Sequence, residues 1–369
     1  MAELTKNKMI DIVESNIERL KNKEFSVYFF VADTKGIASS SLEYIYTTAK
    51  ILSDMGYKVA MLHNEKEFIG VGEWLGEEYE KLPHHNIEKE NVEIGPSDFL
   101  FIPEVFSNVM IQTKKLSCKR VMIVTDYQRI TETMPVSTTP DMLGIMDIVT
   151  TTNIQKDIVN DYFPDTRVHV VSPYINEMFK ESETPKNLIV NIVSRNQSLI
   201  SSFTKPFYWK NPMYKWVSFR DLRGFSLSEY ADVMSSAAIT IWMDDDTKFG
   251  YTLLEALKSG SVVLAKVPRK PADWMYDENG ELTDKIVWFD DIEELIDRFP
   301  SIIRSWTMNM VPKDIYEKQK TFDSMFTKEQ TVSEIEKVYI DGLFNKRLKE
   351  FEEVKKDIEN NVIKTKDDD

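Results

Sequence analysis

The sequence predicts an α/β protein built from two doubly wound halves, and three observations carry that reading. Short, nearly continuous apolar runs alternate with stretches of helical periodicity, as parallel strands buried on both faces require. That rhythm occurs twice, before and after the polar stretch Lys180–Asn187, "KESETPKN", which reads as a linker. Hydrophobic residues make up 42% of the 369-residue chain and aromatics 11%, enough for two cores. The expected domains are residues 1–180, residues 181–327 and a highly charged helical tail, 328–369.

The first helix is expected near the N-terminus, where Ile10, Val13, Ile17 and Leu20 fall at helical spacing. No continuous apolar core accompanies it, so it does not read as a signal peptide. "SVYFFVAD" (Ser26–Asp33) is the first strand. Ser40 and Glu43 then form a capping-box pattern, with Leu42, Ile45, Tyr46, Ala49 and Leu52 as the buried stripe and Gly56 as the stop. The strand Lys58–Leu62 completes a βαβ unit, which dictates parallel pairing. Runs beginning at Phe99, Val121, Asp147 and Val168 continue the first half. The second half has strands expected at Leu188–Arg195, Tyr214–Arg220, Ala238–Asp244, Ser261–Val267 and Ile286–Asp290, with helices over 226–237 and 251–259. Ligands of such sheets bind at the carboxyl ends of the strands, here expected in a cleft between the halves.

The net charge of −15 argues against a protein coated in phosphate contacts. One local basic groove is compatible with it: Lys205, Lys210, Lys215, Arg220 and Arg223, with Asp221 the only acid between the first and the last. The single cysteine, Cys118, precludes an intrachain disulfide and fits a reducing compartment. No apolar run approaches the ~18 residues that span a bilayer. A cytoplasmic protein without an integral membrane segment is expected.

The stretch "KFGYTLLEALKSGSVVLAK" (Lys248–Lys266) carries the chemistry. Gly250 permits close backbone approach at the end of a strand, and the amides that open the following helix make an anion site. Glu255, one turn in, has two oxygens that suit the vicinal hydroxyls of a ribose. A solvated pair with Lys258 is the competing reading.

These residues resemble the donor-binding segment of retaining GT-B glycosyltransferases of family 4, through Phe249-Gly250, Glu255-Ala256, Ser259-Gly260 and the strand "VVLA". The resemblance implies two Rossmann-like domains, Glu255 on the nucleotide ribose, and Phe249, Gly250, Tyr251 and Thr252 about the donor sugar and its phosphates. It implies Arg195 and Lys205 on the diphosphate, and Gly36 as a point of backbone approach after the first strand. The family's first glutamate falls at Thr247, which takes its place on the donor side, and its sugar-contacting histidine falls at Asp126, whose carboxylate is a candidate partner for a sugar hydroxyl or a cap of the following turn; the departure at Thr247 touches turnover more than donor binding. The implied co-substrate is a nucleotide-diphosphate sugar, a UDP-sugar first among them, with no tightly bound cofactor. The acceptor is open among a glycan, a protein and modified DNA. For the last, the second-half segments loosely resemble bacteriophage DNA α-glucosyltransferases. A catalytically silent nucleotide-sugar-binding module is the rival.

Other signals fall away. Asp244-Asp245-Asp246 suggests a metal-binding Asp-x-Asp, but it stands before Phe-Gly in a two-halved chain. The four histidines have no zinc spacing, and neither a P-loop nor a nucleophile elbow occurs. The aromatic cluster Phe207–Trp216 reads first as a loop folded over a core, and second as a stacking surface.

Overall fold

The computed structural model describes residues 2–183, 186–244, 248–308 and 313–366. The chain divides into two compact units, Met1–Ser172 with Thr331–Asp369, and Pro173–Gln330. In the first unit α1 (Ala2–Lys21) precedes β1 (Ser26–Phe30), α2 (Ser40–Asp54), β2 (Lys58–His63), α3 (Glu77–Glu80) and β3 (His84–Asn86). There follow β4 (Phe99–Pro103), α4 (Ser107–Gln112), β5 (Lys119–Val124), α5 (Tyr127–Thr133), β6 (Asp147–Thr150), α6 (Asn153–Tyr162) and β7 (Arg167–Val170). The seven strands pair in parallel in the order β3-β2-β1-β4-β5-β6-β7.

Both faces of this sheet are apolar because both are covered. On one, Tyr28, Phe30, Leu100, Ile102 and Met122 pack with Val109, Met110, Ile130 and Val159. On the other, Phe29 stacks on Phe101 at 4.9 Å between ring centroids. Phe99 meets Phe344 at 4.5 Å and Phe101 meets Tyr339 at 5.0 Å, so part of the cover comes from the end of the chain. Arg347 holds that return by donating to the carbonyls of Pro96 and Ser117, each at 3.0 Å.

The second unit holds β8 (Asn187–Val193), α7 (Gln197–Lys210), β9 (Ser218–Asp221), α8 (Leu227–Ser236), β10 (Ala237–Trp242) and α9 (Tyr251–Lys258). After them come β11 (Val262–Lys266), β12 (Val287–Phe289), α10 (Ile292–Thr307) and α11 (Lys313–Lys320). Its five strands are parallel in the order β12-β11-β10-β8-β9. The unit begins at Pro173 because Ile175 and Phe179 pack in its core, and the Ile175 amide donates to the Phe326 carbonyl at 3.0 Å. The chain then passes through α12 (Lys328–Ile335) and a π-helical stretch, Glu336–Phe344, into α13 (Asn345–Lys366).

Three local expectations shift. The cap of α2 is Ser39, whose hydroxyl accepts from the Leu42 amide, rather than Ser40. Gly56 does end that helix in the left-handed conformation, with the Gly56 and Tyr57 amides donating to the carbonyls of Ser53 and Leu52. The strand expected from Tyr214 starts only at Ser218, because Pro212–Tyr214 turns as a short 3₁₀ helix that buries Tyr214. β3 was not expected: His84-His85-Asn86 is polar, and only its edge pairing with β2 makes it a strand.

At the amino ends of β5, β6 and β7 a charged knot ties the sheet. Asp147 is fully buried and accepts from Arg167 through Nε at 2.8 Å and Nη2 at 2.7 Å. Lys119 Nζ lies 2.8 Å away and His169 Nε2 3.3 Å away. Burial pushes this carboxyl up, but His169, Arg167 and Lys119 outweigh it and hold it far below the usual carboxylate range. The stabilisation is therefore present above the ordinary aspartate range and is lost as pH falls below it. Asp147→Asn is expected to cost about 1–3 kcal/mol in urea unfolding at neutral pH, because it removes the counter-charge of half-buried Lys119 and weakens the bidentate contact to Arg167, which is itself 43% exposed.

Candidate functional site

The chain of the first unit runs outward from β1 through β2 and β3, then returns to β4 and runs the other way. In the second unit the reversal falls between β8 and β10. Outside the carboxyl ends of such a pair the crossovers diverge, and the crevice left behind is the binding position of the fold.

In the second unit that position collects most of the residues singled out by sequence. Val193 and Trp242 are register partners, so Arg195 and Asp244 both stand two residues past the ladder. Arg195 Nε meets Asp244 Oδ2 at 3.0 Å. The guanidinium is 68% exposed while the carboxylate is 11% exposed, so the pair orients a cation that still faces outward. Lys205 is on α7, roughly 13 Å along the axis from the cap at Asn196 by the helical rise. It is exposed and set apart from Arg195.

Gly250 caps α9 with φ of 89°, and no side-chain cap occurs there among the described residues. The left-handed backbone favours glycine, and space demands it. A Cβ here would lie 2.7 Å from Met275 Cε and 2.9 Å from Trp274 Cζ2. Trp274 Nε1 donates to the Phe249 carbonyl at 2.7 Å, fixing the turn from the other side. Phe249 itself is buried, edge-on to Tyr251 and Phe326. Thr252 Oγ1 accepts from Trp242 Nε1 at 2.9 Å, which ties the first turn of α9 to the end of β10.

Glu255 is 4% exposed, so it is no half of a solvated pair with Lys258. Leu253, Leu254, Ala256 and Leu257 are buried around it. A carboxylate costs several kcal/mol to bury, and Glu255 stands one turn into a helix that opens at Gly250. Thr247, Asp246 and Asp245 lie outside the described residues.

The first unit presents a second set. Gly36 (φ 78°) lies in the loop after β1 beside Lys35, itself at φ 54°. Asp33 organises that loop, accepting from the amides of Ile69 at 2.9 Å and Lys35 at 3.0 Å and from Lys35 Nζ at 2.9 Å. Burial raises its carboxyl, and those hydrogen bonds more than reverse the effect. Asp126 caps α5: its Oδ1 accepts from the Gln128 amide at 3.0 Å and its Oδ2 lies 3.9 Å from Arg129 Nε.

Sequence reasoning missed Glu104. It follows β4, is 2% exposed, and accepts at Oε1 from Thr125 Oγ1 and the Asp126 amide, both at 3.0 Å. The Thr125 and Ser41 hydroxyls are 2.8 Å apart. Burial pushes the Glu104 carboxyl up to about 7 against those hydrogen bonds. The available signal was an acid directly after "FLFIP", an all-buried central strand.

Two outcomes follow from this geometry. Gly250→Ala is expected to lose roughly 2–4 kcal/mol in thermal or urea unfolding, from left-handed strain plus overpacking. Glu104 binds its proton more tightly folded than unfolded, so its contribution is full below about pH 4.5 and is lost as pH rises through about 7. Glu104→Gln is therefore expected to flatten the stability difference between about pH 5 and about pH 8 by an amount on the order of 3 kcal/mol.

No family model matches the chain, and no curated protein matches its sequence. Solved structures do match its fold. Sucrose-phosphate synthase from Thermosynechococcus elongatus aligns with a TM-score of 0.59 at 10% identity, over 86% of this chain and 98% of that one. A glycosyltransferase from Rickettsia africae ESF-5 gives 0.58 at 11% identity, over 86% and 98%. An α-glucosyltransferase in complex with UDP and a 13-mer DNA containing an HMU base gives 0.54 at 12% identity, over 84% and 99%. The chain has the GT-B glycosyltransferase fold, two doubly wound parallel sheets with a C-terminal helix.

Proposed function

We propose that the chain is a glycosyltransferase moving a sugar, with retention, from a nucleotide-diphosphate donor, a UDP-sugar in the first instance, to an acceptor hydroxyl. The observation that carries the reading is Glu255: a buried carboxylate one turn inside a helix whose first turn is opened by a left-handed glycine. In this role Glu255 holds the ribose, and the amides about Gly250, Tyr251 and Thr252 hold the phosphates. Arg195, aimed by Asp244, supports the charge that develops on the departing diphosphate. Lys205 is left out of the assignment because of its place on α7, and Asp126 is assigned the α5 cap before any sugar contact. The structure of a similar fold with UDP bound supports the choice of nucleotide.

A modified base in DNA is the second reading for the acceptor. Gln197–Arg220 contains no acid, and Trp209, Met213 and Trp216 stand 76%, 70% and 57% exposed there beside exposed Lys205 and Lys215. Stacking aromatics with interleaved lysines suit a single-stranded or opened nucleic acid. A gel shift at low salt with duplexes carrying hydroxymethylated pyrimidines tests it; no shift at low salt removes DNA as the acceptor.

Isothermal calorimetry with UDP and UDP-glucose tests the main reading. Glu255→Gln and Arg195→Ala are each expected to weaken UDP binding about 10- to 100-fold, the worth of a charge-assisted hydrogen bond. Absence of binding by any nucleoside diphosphate, or full affinity in Glu255→Gln, would overturn it. Binding without sugar transfer or donor hydrolysis would instead make the chain a silent nucleotide-sugar module.

A further inference from the structure

We propose that the second unit binds a small organic ammonium ion in a cavity that Trp274 separates from the Phe249–Gly250 turn. The inference stands on this unit alone and is independent of the transferase reading.

The cavity encloses about 410 Å³, within the range of small-molecule sites. Trp274, Tyr276, Phe322 and Met325 form its apolar wall, and Asp277, Glu278 and Asp284 its acidic rim. The wall joins two distant segments, because Trp274 meets Phe322 edge-on at 81°, with ring centroids 5.6 Å apart. Trp274 is held in that position from behind, where its Nε1 donates to the Phe249 carbonyl at 2.7 Å.

The rim is equally fixed. Tyr276 and Leu282 form an antiparallel bridge, and Asp277 closes the turn between them. Its Oδ1 accepts from the amides of Asn279 at 2.8 Å and Glu281 at 3.0 Å. The Glu281 and Asn279 amides hold this carboxyl below its ordinary range, so it is charged at neutral pH. The site is therefore built before any ligand arrives, which lowers the ordering cost of binding.

Its chemistry selects a cation. Three acids and one base, Lys285, line the cavity, and aromatic faces attract positive charge. Lys285 shows that preference directly, with its Nζ over the Phe322 ring, 5.6 Å from the centroid. Asp284 likewise has Lys318 Nζ at 2.7 Å. Two ammonium groups of the chain thus already sit on one ring and one carboxylate of the cavity. A ligand ammonium offers the same contacts, with Tyr276 and Glu278 in addition. The Lys318–Asp284 pair, 43% and 76% exposed, is screened by water and yields readily to a competing cation. Lys285 is half-buried on a flexible stem and can swing outward as the ligand enters.

Calorimetry on the full chain without nucleotide tests the site, with choline and putrescine as probes. Each is paired with its uncharged counterpart, in which carbon or hydroxyl replaces the charged nitrogen. At least one cation is expected to bind at one site per chain, roughly 10-fold or more tighter than its counterpart. Glu278→Gln, Asp284→Asn and Tyr276→Ala are each expected to weaken that binding about 3- to 30-fold, in variants that still unfold cooperatively. Lys285→Met is expected to tighten it, because the resident ammonium no longer competes for Phe322. Asp165→Asn, an exposed acid of the first unit, is expected to leave it unchanged; this separates a site from general attraction to a chain of net charge −15. Binding is expected to change tryptophan fluorescence in the wild type and not in Trp274→Phe. The proposal is overturned if neither cation binds or if the uncharged counterparts bind as well. It is equally overturned if the three rim and wall variants keep full affinity or Asp165→Asn loses as much as they do.

Discussion

Parallel pairing is the constraint from which the rest of this molecule descends. A strand paired in parallel with its neighbour must be re-entered from the same end, so each connection crosses the sheet and packs a helix on one face. All carboxyl ends then share one edge, and both faces become apolar. Because each sheet grows outward from β1 or β8 in two directions, one gap per unit lacks an overlying crossover. Glu104 and the Asp33 loop stand at the first gap, and Arg195, Asp244 and Gly250 stand at the second. The strands themselves, from Val27 to Phe30 and from Ala237 to Trp242, are buried scaffold.

The two edges of the first sheet treat a buried carboxylate in opposite ways. At the amino edge Asp147 has a bidentate arginine, a lysine and a histidine, and is held ionised. At the carboxyl edge Glu104 has a hydroxyl and an amide, and is pushed toward neutrality. Burial is similar, so the partners decide. The first arrangement ties three strands together. The second leaves a group whose charge changes near physiological pH, which is costly as architecture and useful as chemistry.

Much of the fold was legible in the residues. The apolar runs beginning at Ser26, Lys58, Phe99 and Asp147 became strands because period and length agreed, and α2 kept its predicted stripe. Short-range competition blurred the ends. Ser39 and Ser40 are chemically equivalent caps, and Pro212 converts the start of an expected strand into a turn. β3 carries too little apolar character to be read at all. The return of the C-terminal segment to cover Phe99 and Phe101 depends on contacts between residues far apart in sequence.

At the site, the sequence alone determined the Phe249-Gly250 turn, the helix after it and the identity of Glu255. These depend on backbone freedom and periodicity over a few residues. The tertiary structure decided that Glu255 is buried rather than solvated, because burial is a property of what packs against a helix. It also decided that Arg195 is aimed by Asp244, because register between β8 and β10 brings together residues that the chain separates. Glu104 shows the division most plainly. An acid after a strand has an ordinary pKa in isolation, and only the folded sheet removes its water and leaves it Thr125, an amide and an unfilled oxygen.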